Sequence, residues 1–137
     1  MDNEIIKNKL TGKGLKVTPQ RMFVLEAIYA LDNHPTAENI IDYTRNVYPH
    51  IAIGTVYKVL NKLVENDLIK KVKTENDVMR YDANPERHHH LYDKESEAIQ
   101  DYYDEELDAL LKKYFKRKNI TGFTIEEIVV QINGKFN

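Results

Sequence analysis

The sequence contains no cysteine, so the fold uses no disulfide and any bound metal must be held by nitrogen and oxygen ligands. It also lacks long hydrophobic runs, because its apolar stretches fall far short of the ~20 residues that cross a bilayer. The N-terminal sequence MDNEIIKNKL has no apolar stretch of the kind that signal peptides carry. These absences predict a cytoplasmic protein with no membrane partner.

The length and composition predict a folded protein of one ordinary domain or two very small ones. The chain has 137 residues, of which 42% are hydrophobic and 31% are charged, without low-complexity tracts or internal repeats. Two lobes of this size would each have a core near the lower limit of independent stability. We therefore expect a homodimer interface to supply the missing stability.

The net charge of −2 does not by itself indicate nucleic-acid binding. Its distribution is uneven: residues 1–82 carry 12 basic and 11 acidic side chains, whereas residues 83–137 carry 8 and 11. The first part is weakly positive and the second negative. This asymmetry permits DNA binding by a local patch without requiring it.

The first part of the chain predicts helices separated by short breaks. Apolar residues recur at helical spacing in residues 2–12 and again in residues 53–66. Thr18 followed by Pro19 has the form of an N-cap and first helical position, and Thr36 predicts a second capped helix start. The pattern therefore indicates helices beginning near residues 2, 19, 37 and 53.

Two β-like segments, residues 68–73 and 78–81, follow the last of these helices and are joined by a polar loop at residues 74–77. Helices followed by a two-stranded ribbon are the order of a winged helix-turn-helix. The Asn84-Pro85 pair interrupts the pattern and is a candidate hinge. We expect a winged-helix DNA-binding domain in residues 1–83.

The remaining residues, 84–137, predict a small α/β lobe, which makes the whole chain α+β. The expected elements are strands at 88–92 and 98–102, a helix at 104–117 and a strand at 123–132. An exposed sheet edge on so small a lobe favours pairing with a second copy.

The helix predicted at residues 53–66 has features of a DNA-reading element. Short polar residues and a tyrosine lie near its N-terminus, with cations one turn later. The alternative is that Tyr57 packs into the core and the lysines only solvate the helix. The candidate contacts to double-stranded DNA are Arg21, Thr55, Tyr57, Lys58 and Lys62.

Three motifs together resemble the ferric-uptake-regulator superfamily in order and spacing. They are LKVTPQR at residues 15–21, HPTA at 34–37 and GTVYKVL at 54–60. The resemblance extends over nearly the whole chain. It implies a dimeric repressor, and not an enzyme, with N-terminal winged helices that bind an operator and C-terminal dimerisation lobes.

The histidine cluster can bind metal. His88 and His90 are two residues apart on a predicted strand, so they face the same side while His89 faces the other. Without further context such histidines are more often solvated, and a lone residue such as His34 is usually a surface or capping residue. The resemblance implies one regulatory ion held by the residues at the matching positions, which are His34, Asp82, His88, His90 and Asp101.

Three imidazoles and two carboxylates suit Fe(II) or Mn(II), and Zn(II) can bind in vitro. Iron-uptake members of the family tend to carry glutamate at the position of Asp101, whereas peroxide-sensing members resemble this chain in having aspartate at both acid positions. The resemblance therefore implies the peroxide-sensing branch. In that branch Fe(II) reduces hydrogen peroxide, and the oxidant attacks a ligand imidazole, here His34 or His88.

The ligands are distributed over both predicted lobes, so one ion would clamp the lobes together, and oxidation of a ligand would release the clamp. The chain departs from the family where typical members bind a structural zinc through paired cysteines. Asp93 and Ser96 stand at the first pair, and the C-terminus supplies no second pair. We expect no structural zinc.

Three other functions remain open at this point. A histidine and carboxylate set also occurs in non-haem iron oxygenases, although no pocket-forming motif or cosubstrate-binding arginine accompanies it here. The histidines could also be incidental to a metal-independent DNA-binding protein. The third alternative is an iron, manganese or zinc uptake regulator that uses the same ligands without peroxide chemistry.

Overall fold

The computed structural model describes residues 2–32, 34–74, 78–84 and 88–137. The chain divides into two units, Met1–Pro85 and Glu86–Asn137. Of the predicted wing loop, residues 75–77 lie outside the described residues, as does Pro85 of the predicted hinge. A bilayer crossing would need a longer and more apolar helix than any found in the described residues.

The first unit contains four helices followed by a two-stranded antiparallel sheet. The elements are α1 (Asn3–Gly12), α2 (Pro19–Leu31), α3 (Ala37–Arg45), α4 (Ile53–Glu65), β1 (Lys70–Lys73) and β2 (Met79–Asp82). Strand β1 pairs with β2 in a register that places Lys70 opposite Asp82 and Lys73 opposite Met79. The predicted α+β class, with a winged helix first, is confirmed.

Local sequence signals fix where α2 and α3 begin. The Thr18 hydroxyl accepts a hydrogen bond from the backbone N–H of Arg21 at 3.2 Å, with Pro19 at the first helical position. Thr36 and Asn39 form a reciprocal capping box, with both hydrogen bonds at 3.1 Å. Each cap satisfies backbone donors that would otherwise lack a partner in the first turn.

The helices of the first unit bury one continuous apolar core. Its fully buried side chains come from all four helices and include Ile6, Leu10, Val24, Leu25, Ile40, Val56, Leu60 and Leu63. Each fully buried aliphatic side chain contributes about 1.5–3 kcal/mol relative to exposure. The core therefore holds α4 with its opposite face outward.

The second unit contains β3 (His89–Asp93), β4 (Ile99–Tyr102), α5 (Glu105–Lys118) and β5 (Gln131–Gly134). The sheet order is β4-β3-β5, with β4 antiparallel and β5 parallel to β3. Helix α5 begins at Asp104, whose carboxylate accepts from the Leu107 N–H at 2.9 Å.

The predicted strand at residues 123–132 is wrong in its extent. Only Gln131–Gly134 is a strand, and residues 123–130 have no regular secondary structure. The apolar alternation in this segment exists, but Phe123 is 65% exposed and Val129 is 43% exposed. Because no strand among the described residues pairs with residues 123–129, alternation alone does not make them a strand, and Val130 only accepts one backbone hydrogen bond, from the N–H of His90 at 3.0 Å.

Candidate metal centre and nucleic-acid interface

His34 and Asp82 form a pair of potential metal ligands in the first unit. Nε2 of His34 lies 3.2 Å from Oδ2 of Asp82, and both residues are buried. The other carboxylate oxygen of Asp82 accepts a hydrogen bond from the backbone N–H of Asn84 at 2.9 Å. An imidazole nitrogen beside a carboxylate oxygen supplies two donors suited to Fe(II), Mn(II) or Zn(II).

Strand β2 brings this pair together. The backbone N–H of Tyr81 donates to the carbonyl of Pro35 at 2.9 Å, and the guanidinium of Arg80 donates to the carbonyl of His34 at 3.0 Å. The segment that carries His34 is therefore attached along β2, and Asp82 is the last residue of that strand. Residues distant in the sequence thus become neighbours through backbone pairing.

The second group of potential ligands lies on β3 and β4. The antiparallel register places His90 directly opposite Asp101. Nε2 of His88 is 2.9 Å from Oδ1 of Asp101, and Nε2 of His90 is 3.8 Å from the same oxygen. The His88 and His90 rings have centroids 4.6 Å apart. Both histidines are buried, so the register and the strand alternation gather three donors on one face of the sheet.

His89 is directed to the opposite side and is engaged there at both ring nitrogens. Nδ1 accepts from the backbone N–H of Val130 at 2.9 Å, and Nε2 lies 2.6 Å from Oδ1 of Asp108. Since Nδ1 accepts, Nε2 carries the proton and donates to the carboxylate. His89 therefore links β3 to α5 and to the segment before β5.

Each group supplies imidazole nitrogens and carboxylate oxygens, which are donors that suit a divalent ion of the Fe(II), Mn(II) or Zn(II) type. In each group a histidine nitrogen already faces a carboxylate oxygen. A metal must displace any proton shared between them, so binding would release protons. Which residues bind an ion remains a prediction from the sequence.

Asp93, at a position where the resemblance implies a cysteine, has a different role in this chain. Its Oδ1 accepts from the backbone N–H groups of Glu95 at 2.8 Å and Ser96 at 3.0 Å, and Oδ2 accepts from that of Phe136 at 3.0 Å. These backbone donors, those of Ser96 and Phe136 foremost, lower the pKa of Asp93 to about 2. The carboxylate ties the β3–β4 turn to the C-terminal segment.

Helix α4 presents two distinct faces. Val56, Val59, Leu60 and Leu63 are buried, whereas Lys58 and Lys62 are exposed and Tyr57 is 45% exposed. Tyr57 therefore does not belong to the core. The helix N-cap is Ala52, which supplies no side-chain hydrogen bond to the first turn. The first-turn amides and the outward side chains form a surface of the kind that approaches phosphates and bases.

The other two predicted DNA contacts are less exposed. Thr55 is half-buried in the first turn of α4. Arg21 is also half-buried, and one guanidinium nitrogen donates to the carbonyl of Lys16 at 2.8 Å. The structure thus places Arg21 at the start of α2, where it also braces the loop that precedes this helix.

The sequence did not reveal the structural roles of two residues. Arg80 contacts the His34 segment across 46 positions of the chain, and no local motif signals such a contact. Asp93 was considered only as a missing cysteine, and its contact with Phe136 spans 43 positions.

Comparisons with known proteins agree on one family. The ferric uptake regulator family matches residues 12–132. The peroxide-responsive repressor PerR of Staphylococcus saprophyticus is 25% identical over 125 residues, which cover 91% of this chain and 82% of that protein.

Solved structures show the same fold. The ferric uptake regulator of Francisella tularensis with iron has a TM-score of 0.76 and 25% identity, covering 90% of this chain and 92% of that one. A zinc uptake regulator complexed with zinc and DNA has a TM-score of 0.75 and 18% identity, covering 98% of this chain and 89% of that one. Because the family match covers most of the sequence, the chain belongs to the ferric uptake regulator family of metal-dependent transcriptional regulators.

Proposed function

We propose that this protein is a repressor that binds operator DNA when one divalent ion is bound, and that hydrogen peroxide ends repression by oxidising a ligand of that ion. The main observation that supports this proposal is that imidazole and carboxylate donors lie close together in two groups. One group is His34 with Asp82, and the other is His88 with His90 and Asp101. The first group belongs to the unit with the winged helix, and the second to the other unit.

One ion bound by all five residues would connect ligand chemistry to DNA binding. It favours a DNA-competent arrangement only to the extent that it binds that arrangement more tightly than others. Fe(II) or Mn(II) is the proposed ion, with Zn(II) able to bind in vitro. Loss of a single ligand weakens this preference and lowers the affinity for the operator.

Aspartate at both acid positions and the similarity to a protein named PerR support the peroxide-sensing form of this function. Fe(II) held by these residues would act as a redox catalyst toward hydrogen peroxide, and the oxidised imidazole would supply the two electrons of the net reduction. In the net step the O–O bond breaks, one oxygen atom is added to a ring carbon of His34 or His88, and the other leaves as water. Each chain modifies itself once, so the protein is a sensor and not an enzyme.

The proposed DNA contacts are the outward residues of α4 and its surroundings. Tyr57, Lys58 and Lys62 lie on the exposed face, while Thr55 and Arg21 lie at the starts of α4 and α2. The basic side chains would neutralise phosphates, so the affinity should fall steeply with salt. The similar zinc uptake regulator that was solved with DNA supports this proposal.

The second unit supports a homodimer. A groove of about 560 Å³ between α5 and residues 119–128 is lined by apolar side chains that include Leu111, Phe115, Ile125 and Ile128. Nearby Phe123 is 65% exposed. A unit of this size has few ways to cover such apolar surface, and a second copy supplies matching surface by symmetry.

The alternative function is a metal uptake regulator that uses the same five ligands without peroxide chemistry. Solved relatives named as iron, manganese and zinc regulators favour it, because their fold is the same. Both functions predict metal-dependent DNA binding. They differ only in the fate of the ligand histidines after exposure to peroxide.

Mass spectrometry of the Fe(II)-loaded protein after dilute peroxide distinguishes these functions. We expect one added oxygen atom on His34 or His88. The chain contains two internal controls: His50, which is exposed and outside both ligand groups, and His89, whose two ring nitrogens are engaged elsewhere. Unmodified His34 and His88, with metal-dependent DNA binding intact, would assign the protein to the uptake regulators.

A DNA-shift titration with Mn(II) tests the shared part of the proposal. Operator affinity should rise with Mn(II) in the wild type and fail to rise in His90→Ala, whereas Asp42→Ala, on the exposed side of α3, should behave as the wild type does. An operator affinity that does not change with Mn(II) would mean that the protein binds DNA independently of metal. Replacing Asp101 with Glu should reduce histidine oxidation while retaining Mn(II) binding.

A further inference from the structure

Arg80 is not among the proposed ligands, yet it joins the strand that ends in Asp82 to the segment that carries His34. Its guanidinium donates to the His34 carbonyl at 3.0 Å. Thr36 and Arg80 form an isolated antiparallel bridge, so backbone pairing and the side chain act on the same short segment. Arg80 therefore contacts the backbone of one proposed ligand and lies two residues before another.

The backbone of His34 has an unusual conformation that needs support. Its φ is 58°, in the left-handed region that residues other than glycine seldom occupy. The next residue is Pro35, and a residue before proline normally adopts an extended conformation. Such strain persists only where surrounding contacts determine the conformation. The hydrogen bond from Arg80 is one such contact, made directly to the strained residue.

The environment of Arg80 also indicates a specific role. Its Nε is buried and, within the described parts of the chain, meets no hydrogen-bond acceptor. Buried donors without a partner are uncommon, because desolvation is then uncompensated. If the side chain at this position only filled space, an apolar residue would fill it without burying a donor that lacks a partner. Its contact with the His34 carbonyl gives a reason for a long cation at this position.

We propose that Arg80 is a positioning residue for the metal centre, which holds the His34 imidazole in the orientation that places Nε2 beside Asp82. This inference rests on the proposed function, since it assigns a role within that ion site. Arg80 does not coordinate the ion. It acts on the backbone of His34, and its removal should allow the ligand to relax toward ordinary conformations.

The test compares Arg80→Gln with Arg45→Gln in the full-length protein. Arg45 is a matched control because its guanidinium also donates to a backbone carbonyl, that of Ile51 at 3.2 Å, away from the proposed ligands. Loss of an outer contact to a metal ligand typically lowers affinity 10–100-fold, so we expect a fall of about that size in Mn(II) affinity for Arg80→Gln. Arg45→Gln should retain wild-type affinity, and Arg80→Lys should recover part of the loss.

A second readout separates positioning from general destabilisation. In the metal-free protein, the imidazole nitrogen NMR signals of His34 should shift in Arg80→Gln, while those of His88 and His90 should not. Wild-type Mn(II) affinity together with an unshifted His34 signal in Arg80→Gln overturns the inference. Equal displacement of all three histidine signals also overturns it, because the role would then be global stability.

The outcomes for the inference and for the proposed function are distinct. If the wild-type protein itself binds no Mn(II), the proposed function fails. If the wild type binds Mn(II) and Arg80→Gln binds it equally well, only the role of Arg80 fails. Should Arg80→Gln not fold, Arg80→Lys decides the matter through the same His34 signal.

Discussion

The two units of the chain differ in what fills their interiors. In the first unit, buried aliphatic side chains from four helices form a continuous core. Among the described residues of the second unit, the buried apolar side chains are Tyr92 and Ile99, and the other buried side chains are polar. The units therefore rely on different interactions: hydrophobic burial in the first and hydrogen bonding in the second.

Helix α5 makes this difference plain. None of its side chains is buried, although Leu110 and Tyr114 lie in its sequence and are 61% and 43% exposed. Amphipathic helices are normally stabilised by packing of their apolar face. α5 instead is connected to the sheet through the contact of Asp108 with His89. A second copy of the chain that packed against α5 would bury these exposed apolar side chains.

The two units also differ in where buried polar side chains lie relative to the apolar core. Buried imidazoles and carboxylates lower the stability of a core unless each is hydrogen-bonded. The second unit holds three such histidines in succession, all buried. Among the described residues of the first unit, the buried imidazole is that of His34 and the buried carboxylate is that of Asp82, and neither belongs to the apolar core. Substitutions of the same type should therefore have different effects in the two units.

The largest expected effect is that of Leu60→Ala in α4. Leu60 is fully buried, so its truncation should lower the free energy of unfolding of the first unit by about 3 kcal/mol through lost burial and a residual cavity. The matched substitution Leu110→Ala in α5 removes a side chain that is 61% exposed, and its effect should stay within about 0.5 kcal/mol. Urea unfolding followed by hydrogen exchange of each unit measures both. Equal losses would show that the contrast between the units is wrong.

A smaller and more local effect is expected for Asp93→Asn in the second unit. The carboxylate accepts three backbone hydrogen bonds, and an amide has only one acceptor oxygen. The amide of Phe136, which donates to Oδ2, should then exchange faster, because the remaining oxygen can still accept from Glu95 and Ser96. The control Glu95→Gln removes the same charge two residues away, where the Lys135 ion pair is exposed and contributes little.

The pH dependence of Asp93 has a definite sign. Its pKa is lowered to about 2 by the backbone donors, so the folded state favours the ionised form. The resulting stabilisation is fully present above the ordinary aspartate pKa and is lost as the pH falls through the range from about 4 to 2. Protection of the Phe136 amide should follow this titration in the wild type. A protection that is independent of pH across this range would contradict the role of the carboxylate.

Sequence patterns were sufficient where the determining interactions are local. Thr18 and Thr36 identified the starts of α2 and α3, because a cap is satisfied within three residues. The i, i+2 spacing of His88 and His90 likewise predicted a shared face, since strand alternation is a local property. The fold class followed from the order of these elements.

Patterns failed where partners lie far apart in the chain. Residues 123–129 alternate as a strand does, but a strand also needs a neighbour, and none of the described strands pairs with them. The contacts of Arg80 with His34 and of Asp93 with Phe136 depend on tertiary pairing, which single-residue patterns do not encode. The resemblance implied that His34 and Asp82 share an ion, but neither it nor the composition predicted the backbone pairing along β2 that brings them together.

A further effect, smaller than that of Leu60→Ala, concerns the cap of α2 in the first unit. Thr18→Ala removes the hydroxyl that accepts from the Arg21 N–H and should lower the free energy of unfolding by about 1 kcal/mol. The helix should nevertheless persist, because Val24, Leu25 and Ile28 remain buried. We therefore expect a lower urea midpoint with an unchanged slope, since the surface exposed on unfolding stays the same. Thr18→Ser, which keeps the hydroxyl, should behave as the wild type does. A decreased slope in Thr18→Ala would mean that α2 frays without its cap, and that the first unit depends on local polar contacts much as the second does.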